Sequence, residues 1–360
     1  MLFVGRTRYR LPLPPSLAQK FDALAGELDV RVLASAAPGT SGDETFRLVQ
    51  PIHPRVLDGL AFWLALPVRI ARLLREQRPE AVFCQTPYDA AAALLARRIA
   101  RVPVRVVVEV HGDWRTSTRL YGSPARRVLS RLADAVAAAA LRRADAVRTV
   151  SPFTATLVRE LGVDPAADFP AFMYLDPFTG PTSPLPEHPV ALFVGVLESY
   201  KNVDRLADAW RLAAPHVDDG SLRLVGDGTR TDIAEALVRD LGVRWDRALA
   251  PEEVAAALDN AWVLLLPSRS EGMGRVLVEA FIRGRGVIGS RAGSIPDLVT
   301  DGVSGVLVDP DDPAELADAI VRVLSDRTLA ERLAAGARAA AQPWLQTPEE
   351  YARRMRSLVG

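Results

Sequence analysis

The chain has a single cysteine, Cys84, so it can form neither an internal disulfide framework nor a cysteine-built zinc site. It has only two lysines, Lys20 and Lys201; apart from four histidines, every other basic side chain is arginine. It carries no excess of either charge. Its 44 basic residues balance 44 acidic ones, which argues against a general nucleic-acid binder. No apolar run approaches the roughly 18 residues of a membrane span, and the best, GLAFWLALPV, is closed by Pro67 and Arg69. The opening MLFVGRTRYR meets Gly5 and then arginines, too soon for the apolar core of a signal peptide. What the 360 residues do have is a globular composition, 49% hydrophobic and 24% charged, enough to fill full cores. At about 150 residues per domain, two domains are expected, in a cytoplasmic protein.

Short apolar runs alternate with helical patterns, the signature of α/β architecture with parallel sheets wrapped by helices. In the first half, strands are predicted at 1–4, 30–34, 81–84, 104–110 and 146–150. After Asp164 the chain becomes rich in proline up to Pro189, and a second series follows with strands at 190–194, 221–225, 263–266, 286–289 and 305–308. Two doubly wound domains each offer a ligand site at the carboxyl ends of their strands.

The densest chemistry lies in residues 267–290, PSRSEGMGRVLVEAFIRGRGVIGS. An apolar strand ends at Pro267, and a loop with Glu271, Gly272 and Gly274 opens a helix that carries Glu279. Glycines let backbone amides approach a ligand closely, and a helix N-terminus presents unpaired N–H groups suited to phosphate. The two carboxylates, one before the helix and one within it, can accept hydrogen bonds from two hydroxyl-bearing parts of one extended ligand. The competing reading is a charged loop followed by a solvated glutamate.

SEGMGRVLVEA resembles the Glu-x7-Glu signature of retaining glycosyltransferases of family four, whose GT-B fold sets two facing Rossmann-like, doubly wound parallel-sheet domains together. The resemblance runs through most of residues 190–325, in LFVGVLESYKNVDRLADAW, LRLVGDG and AGSIPDLVTDGVSGVLVDPDDPAELADAI. It implies an acceptor-side domain at 1–186, a nucleotide-sugar-binding domain at 187–342, and a C-terminal helix at 343–360 returning to the first domain. It further implies that Glu271 contacts hydroxyls of the donor sugar, that Glu279 holds the ribose and that Lys201 binds the donor diphosphate. Gly195, Gly272, Met273, Gly274, Arg275 and Val276 complete the implied donor site. In VRVVVEVHGDW, His111 follows a buried strand and matches the His-Gly that this family turns toward the donor sugar; Asp113 is a weaker match. The catalytic set is then His111, Lys201 and Glu271. Where the family carries Gly-Arg-Leu, this chain has Gly195-Val196-Leu197, so another arginine, such as Arg275 or Arg291, must reach the diphosphate or its binding is weaker.

The resemblance implies transfer of a sugar from a UDP- or GDP-sugar to a glycan, polyprenyl or other lipid-linked acceptor, with retention of configuration. No cofactor and no metal are expected, since Lys201, the Gly272–Gly274 amides and the helix dipole can stabilise a departing diphosphate. Asp309-Pro-Asp311 looks like a metal-binding Asp-x-Asp, but Asp312, Pro313 and Glu315 read as a helix start. Gly284-Arg-Gly286-Val-Ile-Gly289 has the letters of a dinucleotide fingerprint but ends a helix instead of opening one. Arg6, Arg8 and Arg10 form either a phosphate-binding or a solvated loop. The stretch 57–74 is a packed helix or a membrane-surface helix, which leaves peripheral contact at the inner face of the cell membrane open. Domain closure is expected to hinge at Asp176–Pro189 and near Pro343. A sugar-nucleotide epimerase and a non-catalytic sugar-nucleotide-binding partner are the alternatives.

Overall fold

The computed structural model describes residues 1–52, 55–116 and 124–359. They form two compact units, Met1–Met173 with Gln346–Gly360, and Tyr174–Leu345.

The first unit is built on seven parallel strands in the order β3-β2-β1-β4-β5-β6-β7. They are β1 (Leu2–Tyr9), β2 (Arg31–Ala36), β3 (Phe46–Val49), β4 (Ala81–Cys84), β5 (Arg105–Val110), β6 (Ala146–Thr149) and β7 (Ala167–Asp168). Side chains alternate across each strand. Val82, Val106 and Val108 therefore meet Leu66, Ile70, Leu74, Ala93 and Leu141 from the helices at Arg55–Gln77, Pro87–Ala100 and Pro124–Arg143. On the opposite face, Phe3, Phe83 and Val107 meet Phe21 and Leu24 from helix Pro15–Glu27, and Tyr351 and Met355 from helix Pro348–Arg356.

The second unit has six parallel strands in the order β10-β9-β8-β11-β12-β13. These are β8 (Val190–Val194), β9 (Ser221–Val225), β10 (Arg244–Asp246), β11 (Val263–Leu266), β12 (Gly286–Ser290) and β13 (Gly305–Val308). Asp312 caps helix Pro313–Ser325 by accepting from Ala314 N and Glu315 N, with Pro313 in its first turn, as the sequence reading of a helix start required.

Two features depart from expectation. The stretch after Gly5 is not a loop: β1 continues to Tyr9, with a register shift between Val4 and Arg8. Buried Tyr9 packs its ring against Phe21 and Phe46, which draws the backbone onward along β2. Arg6 and Arg8 both pair with Asp58. The second departure is the division of the chain, which falls at 173/174 and 345/346 instead of 186/187 and 342/343. The proline-rich stretch holds few side chains that could anchor it, so its carbonyls do. Arg283 donates to Phe178, Gly180 and Pro181 oxygens, Arg285 to Ser183 O, Arg327 to Leu185 and Pro186 oxygens, and Trp262 Nε1 to Pro186 O. At the other crossing Gln346 Nε2 donates to Pro170 O, within the first unit. Residues 178–186 are thus strapped to the second unit through their carbonyls.

Arg285 is the centre of that strap. Its side chain is buried, and it also donates to Leu258 O at 2.8 Å and Asp259 O at 2.8 Å. Burial lowers its pKa to about 10, so it stays charged at neutral pH. Arg285→Met would leave several buried carbonyls without donors, at about 1–3 kcal/mol for each group left unsatisfied. The expected outcome is a loss of at least about 3 kcal/mol in urea unfolding, with new protease cleavage between residues 174 and 189. Unchanged stability and cleavage would mean that the strap is not structural.

Candidate functional site

In the second sheet the strand order reverses between β8 and β11, so the connections leaving these neighbours diverge and open a crevice at their carboxyl ends. The loop after β8 runs from Gly195 to a single 3-10 turn, Ser199–Lys201, before helix Val203–Ala213. It rests on the loop after β9: Leu197 N donates to Asp227 O, and Arg230 N to Leu197 O. Gly226 (φ 141°) permits this approach, since a Cβ there would lie 1.9 Å from Gly195 O. Asn202 follows in the left-handed conformation (φ 62°), fully buried, with Nδ2 donating to Pro267 O at 2.9 Å and Pro310 O at 2.5 Å. Asn202 therefore ties the Lys201 turn to the ends of β11 and β13. Arg269 makes a second tie, through its amide to Tyr200 O at 2.8 Å and its guanidinium to Ser199 O at 3.3 Å.

These ties place Lys201 Nζ 2.5 Å from Glu271 Oε1, across 70 residues of chain. Both side chains are close to nine-tenths buried, at 12% and 10% exposure, and the ammonium lies 5.4 Å from the Tyr200 ring. Gly195 adjoins the same lysine: a Cβ built there would meet Lys201 Cε at 3.6 Å. Behind Glu271, Gly293 and Ser294 pack on its backbone, and Ser294 N donates to Glu271 O at 3.0 Å.

The chain then passes Gly272 and buried Met273 to Gly274, which caps helix Arg275–Ile282 in the left-handed conformation (φ 63°). A glycine cap supplies no side-chain acceptor, so Gly274 leaves the positive end of the helix dipole without a side-chain cap of its own. Arg275 is exposed at that end and Val276 half-buried. Glu279 is half-buried one turn on, and burial raises its carboxyl pKa above the usual range, opposed by the nearby Arg275 charge. Of the two arginines considered for the place taken by half-exposed Val196, Arg291 is already engaged by Glu315 and Leu307 O. Arg275 is left as the better placed of the two.

The second unit thus assembles Gly195, Lys201, Glu271, Gly272, Met273, Gly274, Arg275, Val276 and Glu279 at one switch point. His111 belongs to the first unit, at the carboxyl end of β5. Its Nε2 contacts Glu109 Oε1, and Asp113 is occupied locally by Arg115 N and Thr116 Oγ1. Asn202, Arg269 and Glu109 were not picked out by the motifs. Glu109 did carry a signal, as the one charge inside the run VVVEV.

Glu279 bears on stability. A carboxylic acid whose folded pKa is raised adds stability below its unfolded pKa and loses it as pH rises through the folded value. Glu279→Gln should therefore unfold at a higher temperature than the parent at pH 7–8, with the gap closing toward pH 4. A variant less stable at pH 8 would show that the carboxylate is a structural asset.

Comparison with known proteins matches residues 15–167 to a glycosyl transferase 4-like domain and residues 188–326 to glycosyl transferases group 1. The D-inositol 3-phosphate glycosyltransferase of Corynebacterium kroppenstedtii is 35% identical over 148 residues, 38% of this chain and 33% of that protein. The α-D-kanosaminyltransferase of Streptomyces kanamyceticus is 29% identical over 158 residues, 42% of this chain and 41% of that protein. The chain spans about a third to two fifths of the length of such relatives. Among solved structures, sucrose-phosphate synthase from Thermosynechococcus elongatus matches with TM-score 0.77 at 20% identity, over 99% of this chain and 97% of that one. Anabaena HepE, solved in complex with UDP-glucose, matches with TM-score 0.71 at 21% identity, over 99% and 98%. Matched in both halves by glycosyltransferase domain models and sharing the fold of these neighbours, the chain belongs to the group 1, family-four type of glycosyltransferases with the GT-B fold.

Proposed function

We propose that the protein transfers a sugar, with retention of configuration and without a metal, from a UDP- or GDP-sugar to a hydroxyl of a glycan or lipid-linked acceptor. The observation that carries this reading is the Lys201–Glu271 pair at the β8/β11 switch point, beside a helix whose N-terminus has no side-chain cap. A nucleoside diphosphate satisfies both halves of that arrangement. Its phosphates take the Lys201 ammonium and the first-turn amides, which releases Glu271 to accept from sugar hydroxyls. The ribose hydroxyls donate to Glu279 and repay the burial of its charge. As the glycosidic bond breaks, negative charge grows on the leaving phosphate, where Lys201 and the helix dipole act. His111 is assigned a catalytic part in this reading by the family resemblance alone, and the leaving phosphate oxygen assists in deprotonating the acceptor. Of the Asp309-Pro-Asp311 pair, Asp309 accepts from Asp311 N and Asp311 lies 3.6 Å from the Arg269 guanidinium, which favours the metal-free route.

A panel of UDP- and GDP-sugars in a thermal-shift assay identifies the donor, because a ligand at 100 times its Kd stabilises by about 2.7 kcal/mol. Lys201→Ala should then lower turnover more than donor affinity. Glu279→Gln should weaken donor binding by about 10–100-fold, the loss of a charged acceptor. Activity should survive EDTA, and the product linkage should keep the donor's anomeric configuration by NMR. An isomerised free nucleotide sugar, or binding with no nucleotide release in the presence of polyprenyl or glycan acceptors, would replace transfer by epimerisation or by binding alone.

A lipid-linked acceptor is favoured by one surface of the first unit. Leu64, Val68, Leu95, Ile99, Leu132 and Val136 are exposed on helices 55–77, 87–100 and 124–143, around a recess of about 440 Å³ lined by Trp63, Pro67 and Tyr88. Exposed Arg72, Arg75, Arg98, Arg131, Arg142 and Arg143 share these helices. No described helix is long and apolar enough to cross a membrane. Exposed apolar groups among cations suit the surface of an anionic bilayer. Leu64→Asp with Val68→Asp should reduce co-sedimentation with phosphatidylglycerol vesicles at least about 10-fold. Equal sedimentation of parent and variant would remove this contact.

A further inference from the structure

Asn202 sets aside several local preferences at once. Arg78, Arg101, Asn202 and Asp219 are the non-glycine residues with positive φ among the described residues. Arg78, Arg101 and Asp219 are exposed, whereas Asn202 is fully buried. Asparagine tolerates this backbone better than most residues, but still at a cost. It also stands at the cap of helix Val203–Ala213, where asparagine is favoured, yet its side chain makes no capping bond. Its amide nitrogen is directed instead to two carbonyls, Pro267 O and Pro310 O. Carbonyl oxygens only accept, so the nitrogen must face them. Oδ1 is left buried without a hydrogen-bond donor among the described residues.

Local stability does not call for this arrangement. Glycine takes the left-handed backbone without strain, and a conventional serine or aspartate cap would serve the helix. What the arrangement secures is position. Asn202 N donates to Ser199 O at 3.2 Å and closes the turn that ends at Lys201, while Leu206 N donates to Asn202 O at 3.0 Å and opens the helix. The Pro310 contact brings in the loop after β13, two strands beyond β11 in the sheet. That loop is itself fixed: Asp309 N donates to Glu315 Oε2 at 2.6 Å, and Asp311 N to Asp309 Oδ1 at 2.8 Å. Asp311 also lies 3.6 Å from the guanidinium of Arg269, which holds Ser199 O and Tyr200 O from the end of β11.

We infer that Asn202 is the positioning residue of Lys201, clamped between the ends of β11 and β13, with the Asp309–Asp311 loop as the far support of the clamp. The inference rests on the reading of Lys201 as the cation that meets the donor diphosphate. Lysine carries its charge on a flexible stem. Without ligand, Glu271 holds the far end of that stem. Once a diphosphate takes the place of Glu271, the turn alone determines where the ammonium can reach. A turn fixed beforehand spares the ligand the ordering of that segment.

Asn202→Gly tests this, since glycine keeps the left-handed backbone and removes both donors. Asn202→Asp, which keeps the shape but sets a carboxylate against the two carbonyls, takes its place in every measurement should the glycine variant not fold. Nitrogen-15 labelling of lysine gives two ammonium signals, because the chain has two lysines, and Lys20→Arg assigns that of Lys201. In the protein without ligand, hydrogen exchange of the Lys201 ammonium should quicken at least about 10-fold in Asn202→Gly. UDP and GDP are then titrated by calorimetry. For the nucleotide that the parent binds, Asn202→Gly should weaken binding at least about 5-fold in the parent but less than about 2-fold in the Lys201→Ala background, because a positioning residue acts only through the group it positions. An equal loss of affinity in both backgrounds is the mark of a merely structural role and overturns the inference. So does ammonium exchange that is unchanged in Asn202→Gly. Failure of the parent to bind either nucleotide, or binding by Lys201→Ala as tight as the parent's, would instead overturn the reading of the diphosphate site, while the exchange rates still decide whether Asn202 positions the lysine.

Discussion

The adjacency of β8 and β11 is the constraint on which the second unit's chemistry depends. These strands are far apart in sequence and hydrogen-bonded side by side, with Val263 opposite Ala191. Their outgoing loops can therefore present a lysine and a glutamate 2.5 Å apart although 70 residues separate them in the chain. Everything around the pair restrains one side or the other. Asn202 and Arg269 hold the lysine's turn to the ends of the neighbouring strands, and Gly293 with Ser294 supports the glutamate's backbone. In the function proposed, this nearly buried pair is neutral until an anionic ligand takes the place of Glu271 on Lys201.

The use of basic residues follows the same logic. Arginine's planar fork satisfies several carbonyls at once, whereas lysine is a compact point charge. Arg148, Arg283 and Arg285 are buried and spend their N–H groups largely on backbone oxygens, fastening segments that have few side chains to pack. Of the two lysines, Lys20 lies over the rings of Phe21 and Tyr351, and Lys201 sits in the site. In the function proposed, a point charge suits a phosphate that must be held while its bond geometry changes.

The interior of both sheets was legible in the sequence because a parallel strand buried on both faces is a continuous apolar run. VALFV, AVFC and VLLL fall where they were expected, at β8, β4 and β11. The strands that escaped, β3, β7 and β10, all lie at sheet edges, where short segments need cover on fewer sides and carry residues such as Arg47, Asp168 and Asp246. The ordered motif drew attention to Lys201, Glu271 and Glu279, and the structure brings the first two into contact. Asn202 stood outside that motif's reading, since its hydrogen bonds reach loop ends that are remote in the chain. The extent of the proline-rich strap was likewise hidden, because arginines more than 100 residues away hold its carbonyls.

The central claim is that a diphosphate displaces Glu271 from Lys201 and frees it for the sugar. Calorimetry on Glu271→Gln tests it most directly, with the nucleoside diphosphate of the preferred base and its sugar conjugate titrated separately. The account predicts that the diphosphate binds the variant at least as tightly as the parent, because the competing carboxylate charge is gone, while the extra affinity contributed by the sugar disappears. A variant that loses affinity for the bare diphosphate but still distinguishes the sugar conjugate from it would contradict the account.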